Sequence, residues 1–312
     1  MKRFGLAIIA ITLNIQIISQ SIEIDTPVKM LALGDSYTIG ASVEKEERWP
    51  HQFTAALNAQ GIQADEPDYI AVTGWTTQDL LRGIRNSLNS EKNYNLVSIL
   101  IGVNNQYQHK DIETYEPDLK EIIEIALKVV SDDTGKVFML SIPDYAYTPF
   151  GSGNEKITEE INAYNEINYR VATEYNLTYV NITSISRRGL SEPELVAWDG
   201  LHPSGEQYAL WVEAVLSYLA PDQILGSWNN RLPGIDEDVI RIFPNPASDG
   251  IQLVFTRRPE VIRMLDPHGK TVFERIPSGY LLYISLMDYQ PGIYWMEGTF
   301  PHGRETVPVV IN

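Results

Sequence analysis

The sequence predicts a three-layer α/β/α sandwich built on a parallel five-stranded sheet, followed by a small C-terminal β-sandwich. Two observations carry the first half. From Val28 to about Tyr218, short apolar runs alternate with segments of helical periodicity, the rhythm of strands joined by crossover helices. The runs are also nearly continuous in apolar residues, as strands covered on both faces require. The third observation is a change of texture after Ala220, where a polar stretch with Pro221, Gly226, Pro233 and Gly234 has no periodicity and reads as a linker over 221–238.

The strand candidates are Val28–Leu33, Tyr69–Thr73, Leu96–Ile101, Val137–Ile142 and Thr178–Ile182. Pro50 suits a first helical turn and Gly61 a helix exit, with Trp49, Phe53, Ala56 and Leu57 on one face between them. Further helices are expected over about Leu119–Val130, Ile157–Tyr175 and Glu206–Tyr218, the last opened by Ser204 and Gln207 at capping-box spacing. From about Val239 the chain turns to short runs rich in β-branched and aromatic residues: Ile251–Phe255, Val261–Leu265, Tyr280–Ser285, Ile293–Met296 and Thr306–Ile311. Turn sequences such as Asp266-Pro267-His268-Gly269 separate them, giving an expected β domain over 239–312. At the other end, Lys2 and Arg3 precede an apolar stretch from Phe4 to about Ile18, which reads as a signal peptide over residues 1–21. A buried first strand or a retained anchor is the alternative. The expected catalytic domain then covers 22–220.

Composition narrows the chemistry. The 312 residues are 44% hydrophobic and 21% charged, ordinary for a globular chain, so a sizeable core can form. Lys and Arg number 24 against 41 Asp and Glu, a formal charge of −17, which repels phosphate backbones and argues against a nucleic-acid partner. The absence of cysteine excludes disulfides, thiolate metal sites and cysteine nucleophiles. His51, His109, His268 and His302 lack metal-ligand spacing and no phosphate-binding glycine loop occurs, so neither a metal nor a cofactor is implied.

The first strand candidate leads into Gly34-Asp35-Ser36-Tyr37, placing a serine beyond the carboxyl end of a strand, where open α/β sheets build ligand sites. Near the end of the same domain, Asp199-Gly200-Leu201-His202 sets a carboxylate three residues before an imidazole, just ahead of the last helix. A serine hydroxyl needs a general base to become a nucleophile, and an imidazole with an ordinary pKa near ~6.5 suits that work at neutral pH. The carboxylate can orient the ring and stabilise its cation. Asp35, beside the serine, is assigned to holding the turn. Tyr37, Trp75, Tyr107, Tyr145, Tyr147 and Trp198 fall in loops near strand ends, where they line an acyl or sugar pocket or simply pack.

Four blocks in this order resemble the SGNH (GDSL-like) hydrolases: Ser36; Gly74 within Val72-Thr73-Gly74-Trp75-Thr76-Thr77; Asn104 within Gly102-Val103-Asn104-Asn105; and Asp199 with His202. The resemblance covers roughly residues 28–219 and implies a flavodoxin-like sheet, Ser36 as nucleophile, and Asp199 and His202 completing a triad. It also implies an oxyanion hole formed by the backbone N–H groups of Ser36 and Gly74 and the Asn104 side-chain amide. Two departures stand out: Tyr37 replaces the leucine of the family's name motif, and Asn105 stands where aspartate is common.

Ile242-Phe243-Pro244-Asn245-Pro246-Ala247, the Asp266–Lys270 turn and Pro291-Gly292-Ile293-Tyr294 resemble a type A sorting domain of the type IX secretion system. That resemblance implies type IX machinery as a partner and a secreted or cell-surface location. A carbohydrate-binding or spacer module is the alternative. The expected function is a secreted serine esterase with no stable membrane span. Carbohydrate O-acetyl esterase, lysophospholipase, thioesterase and a catalytically silent glycan-binding protein stay open, because fold and triad do not set the substrate.

Overall fold

The computed structural model describes residues 21–219 and, from 240 to 312, all but 244, 248–249, 256–258, 278–280, 287–288 and 301–302. The signal segment and the linker expected from the sequence thus fall almost wholly outside the described residues. Five strands, β1 (Met30–Gly34), β2 (Asp68–Ala71), β3 (Leu96–Leu100), β4 (Val137–Leu140) and β5 (Thr178–Val180), form one parallel sheet in the order β2-β1-β3-β4-β5. Every residue of β1, β3 and β4 is buried, which is why those segments read as nearly continuous apolar runs. In this order the chain leaves β1 toward one edge and returns past it to β3. The carboxyl ends of β1 and β3 therefore flank the topological switch point, the place where open α/β sheets bind their ligands.

Among the described residues eight α-helices accompany the sheet: α1 (Ser36–Ile39), α2 (Trp49–Ala59), α3 (Thr77–Ser87), α4 (Val103–Tyr107), α5 (Tyr115–Val129), α6 (Glu155–Glu174), α7 (Thr183–Ser186) and α8 (Gly205–Leu216). Their apolar faces bury Trp49, Phe53, Leu57, Leu119, Ile122, Ile123, Val171, Trp211 and Val215 against the sheet residues Leu31, Leu33, Val97, Ile99 and Phe138 in one core. Ile22 is fully buried and its N–H bonds to the Tyr218 carbonyl at 2.7 Å, so the first described residues close onto the end of α8. Among the described residues no helix is long and apolar enough to cross a membrane.

Three details differ from the sequence reading. Helix α3 and the short helices α1, α4 and α7 were not anticipated. Strands β2 to β5 stop one or two residues short of the expected runs, although Ile101 and Ile142 beyond them are still buried, while β1 starts at Met30 and ends one residue past Leu33. At α8 the Ser204 hydroxyl does accept the Gln207 N–H, but the Gln207 side chain turns away to the Leu195 carbonyl at 2.9 Å, so the reciprocal half of the capping box is not made.

Seven antiparallel strands follow. β6 (Ile240–Phe243), β7 (Gly250–Phe255) and β10 (Leu281–Ser285) form one sheet; β8 (Val261–Leu265), β9 (Thr271–Arg275), β11 (Gly292–Phe300) and β12 (Gly303–Ile311) form the other. Alternate residues Ile251, Leu253 and Phe255 of one sheet and Ile262, Met264, Tyr294, Met296, Val309 and Ile311 of the other share a second core, the mark of a sandwich. The Asp266 carboxylate accepts the N–H groups of His268 and Lys270, each at 2.9 Å, which fixes the turn between β8 and β9. Strands β6 and β9 were not separately delimited by the sequence.

Candidate active site

Ser36 opens α1 directly after β1, and close packing forces the chain to turn there. A Cβ on Gly34 would lie 2.1 Å from the Thr38 hydroxyl and 2.3 Å from the Leu100 carbonyl, so only glycine lets β1 pass β3 into the turn. Asp35 caps α1, its Oδ1 accepting the Tyr37 N–H at 3.0 Å, and Gly40 closes the helix in the left-handed conformation at φ +69°. The Asp35 carboxyl is 1% exposed, and burial pushes its pKa up to about 7 against the opposing hydrogen bonds from Tyr37 and Asn104. This is the structural role expected of it, with an added contact: Oδ2 accepts from the Asn104 side-chain amide at 3.3 Å.

The Asp199–His202 loop is built around a single carboxylate. Asp199 Oδ1 accepts the N–H groups of Leu201 and His202 at 2.9 and 3.0 Å, and Oδ2 pairs with His202 Nδ1 at 2.6 Å. Oδ2 also accepts the Ser42 hydroxyl at 2.6 Å. Burial pushes the Asp199 carboxyl up, but the bonds from Ser42, the His202 ring and the two backbone groups outweigh it and hold the acid well below the usual carboxylate range. Asp199 is therefore a fixed anion. With Nδ1 engaged by a carboxylate, the imidazole is held in the tautomer that leaves Nε2 available. The Tyr37 ring, next in the chain after Ser36, lies 5.2 Å from the His202 ring, so the turn that carries Ser36 contacts the Asp199–His202 pair through both Tyr37 and Ser42.

The two glycine and asparagine blocks meet across the carboxyl ends of β2 and β3. Gly74 has φ +85° and a Cβ there would meet nothing within 4 Å, so its glycine answers to backbone conformation alone. Asn104 stands in the first turn of α4, after Gly102 at φ +129°, whose missing Cβ makes room for the Tyr115 hydroxyl. Helix α4 grips the glycine block twice. Gln108 Nε2 donates to the Gly74 carbonyl at 2.8 Å, and the buried Asn105 accepts the Thr77 N–H at 3.0 Å while donating to Thr77 Oγ1 at 2.9 Å. Thr77 Oγ1 in turn donates to Asp118 at 2.8 Å. A carboxylate at 105 could accept but not donate, so the asparagine found there matches its partner. Among the described residues neither the Ser36 N–H nor the Gly74 N–H has an acceptor in the protein.

Of the six aromatics singled out, Tyr37 is buried against His202 and Trp75 packs on Gly83 of α3, where a Cβ would lie 2.3 Å from its ring. Tyr107 is 52% exposed and Trp198 87%. Sequence reasoning missed Ser42 and Gln108, whose partners are 157 and 34 residues away and leave no local signal. It also missed Phe150, whose ring packs on Tyr107 and Tyr145. Among the described residues no cluster of three or more His, Asp or Glu side chains could hold a metal ion.

Comparison with known proteins places this architecture. Residues 241–312 match the secretion system C-terminal sorting domain, which marks the protein for export to the cell surface or beyond. No curated protein matches the chain. Among solved structures it is similar to TesA, at 19% identity over 62% of this chain and 98% of that one, with a TM-score of 0.51. It is similar to the acetyl xylan esterase AlAXEase at 19% identity, 62% and 100% coverage and the same TM-score. A lipase/acylhydrolase from Enterococcus faecalis gives 22% identity, 61% and 93% coverage and a TM-score of 0.50. These likenesses establish the fold. Residues 32–210, more than half of the protein, match the GDSL-like lipase/acylhydrolase family model, and the chain belongs to that family of ester hydrolases.

Proposed function

We propose that the protein is an exported serine esterase that cleaves carboxylic esters through an acyl-enzyme on Ser36. The observation that carries this reading is the 2.6 Å pairing of Asp199 with His202 Nδ1, tied through Ser42 to the turn that presents Ser36. In the reaction, His202 Nε2 takes the Ser36 hydroxyl proton as the oxygen attacks the ester carbonyl. The same proton then passes to the departing alcohol, and water, activated in turn by His202, releases the acid and regenerates Ser36. Asp199 stays ionised and stabilises the imidazolium.

Negative charge on the carbonyl oxygen is met by the unpaired N–H groups of Ser36 and Gly74 and by Asn104. Asn104 has two amide hydrogens: one is held by Asp35, and the other is free for the oxyanion. The domain limits 22–220 and 239–312, with the linker between them, belong to the same proposal: one part for hydrolysis, one for export. Its test is labelling by a fluorophosphonate together with hydrolysis of p-nitrophenyl acetate. The wild-type protein is expected to show both and Ser36→Ala neither, with an unchanged circular-dichroism spectrum. Labelling of Ser36→Ala would overturn it.

A further inference from the structure

Tyr107 and Phe150 are each 52% exposed, and their ring centroids lie 6.1 Å apart. Single exposed apolar residues are ordinary. These two are seated on a third ring, the buried Tyr145, at 6.2 and 6.1 Å. Tyr145 is itself fixed: its hydroxyl donates to Gln106 Oε1 at 2.8 Å, and Gln106 Nε2 donates to Glu160 at 2.6 Å. The loop beneath is rigid, since Asp144 accepts the Ala146 N–H and Arg187 Nε at 3.1 Å each, and Gly151 sits so close that a Cβ would lie 2.0 Å from the Tyr145 carbonyl.

The placement relates the rings to the site. Tyr107 follows Asn104 by three residues in α4, and the Phe150 N–H donates to the Gly200 carbonyl at 2.9 Å, inside the turn between Asp199 and His202. The pair therefore bridges the element that carries the oxyanion donor and the loop that carries the acid–base pair. Trp198, 87% exposed, stands one residue before Asp199.

We propose that Tyr107 and Phe150 form an aromatic platform that binds a sugar ring of an O-acylated glycan beside the ester-cleaving site, an inference that rests on the esterase reading of Ser36. The openness of the rings decides the ligand class. An acyl chain gains most from a concave pocket that covers it on all sides, whereas half-exposed rings cover only one face. A sugar has one C–H face that suits the electron-rich face of an aromatic ring, while the hydroxyls on its rim keep their water. The −17 charge adds repulsion for an anionic lipid surface and none for a neutral acylated glycan.

The test compares acetylated xylohexaose with p-nitrophenyl acetate on the full chain. In Tyr107→Ala/Phe150→Ala the ratio of kcat/KM on the saccharide to that on the small ester is expected to fall about tenfold, through KM, as the loss of one stacking contact and of the second ring, tilted 52° against it, implies. Tyr107→Phe and Phe150→Tyr should keep the ratio. Calorimetry on Ser36→Ala should detect the saccharide, and the two alanine substitutions added to that background should remove binding. An unchanged ratio, equal losses on both esters, or a loss found only with p-nitrophenyl decanoate would overturn the platform. In each of those cases the wild type still cleaves p-nitrophenyl acetate, so the esterase reading stands; absence of that cleavage and of Ser36 labelling would remove both.

Discussion

Asp35 offers a test in which stability and rate must move together. In the unfolded chain its carboxyl ionises near 3.8, whereas in the fold burial holds it at about 7. Between those values the native state binds the extra proton, so stability contributed by the protonated acid is lost as pH rises. Over about three pH units at about 1.36 kcal/mol each, the change is about 4 kcal/mol, complete above pH 7. Asp35→Asn removes the titration. Guanidinium unfolding at several pH values from 4 to 8 should show the variant gaining on the wild type by several kcal/mol across that range, with most of the gain above pH 5. The same change replaces the oxygen that accepts from Asn104 with an amide, so Asn104 must turn its own oxygen toward residue 35 and swing its donor away from the proposed oxyanion hole. A kcat loss of about 10²-fold is expected with little change in KM, the signature of a disturbed oxyanion donor. Parallel stability curves for the two proteins, or an unchanged kcat, would refute the reasoning.

Asn104→Ala should lower kcat by about 10²- to 10³-fold with the fold intact, measured on p-nitrophenyl acetate. Ser42→Ala removes a hydrogen bond to a carboxylate and should cost about 1.5–3 kcal/mol in urea unfolding at pH 7. Because the Asp199 carboxyl is depressed in the fold, that contribution is complete above the unfolded value near ~3.9 and is lost below it, so the gap between the two proteins should narrow under pH 4. Gly34→Ala, whose Cβ would meet the Leu100 carbonyl at 2.3 Å, should destabilise by at least about 1–3 kcal/mol by thermal unfolding, because backbone cannot yield as a side chain does. A chain ending at Pro221 should fold and hydrolyse esters yet stay in the periplasm of the native host, followed by activity in fractionated cells; secretion at the normal level would assign the tail another role.

The sheet was legible because parallel strands buried on both faces leave nearly continuous apolar runs, as in Val137–Leu140 and in Leu96–Leu100, where only Ser98 interrupts. Strand ends were not, since Ile101 and Ile142 stay buried after the ladder stops and look no different in sequence. Helix α3 escaped notice because its apolar face is only Leu80, Leu81 and Ile84, broken by Gly83, whose small size serves the Trp75 ring rather than the helix. At the candidate site, Asp199 and His202 could be paired from spacing, because three residues in one loop bring them together. Ser42, Asn105 and Gln108 act on partners far along the chain, and a single sequence carries no trace of contacts that only folding creates. Asn105 illustrates this: in sequence it is only a departure from the family pattern, and its pairing with Thr77 exists only in the fold.

The hydrogen bond from Ser42 to Asp199 spans 157 positions and joins the first loop of the sheet to the last. Under the proposed mechanism, the serine turn leaves the ribosome long before the carboxylate and imidazole it would work with, so the nascent chain carries a harmless alcohol until nearly all of residues 22–220 have emerged. The same arrangement makes hydrolysis a stringent reporter of refolding. Regain of secondary structure can precede it, but turnover must wait for both ends of the chain to meet, and any segment that fails to dock between them silences the signal.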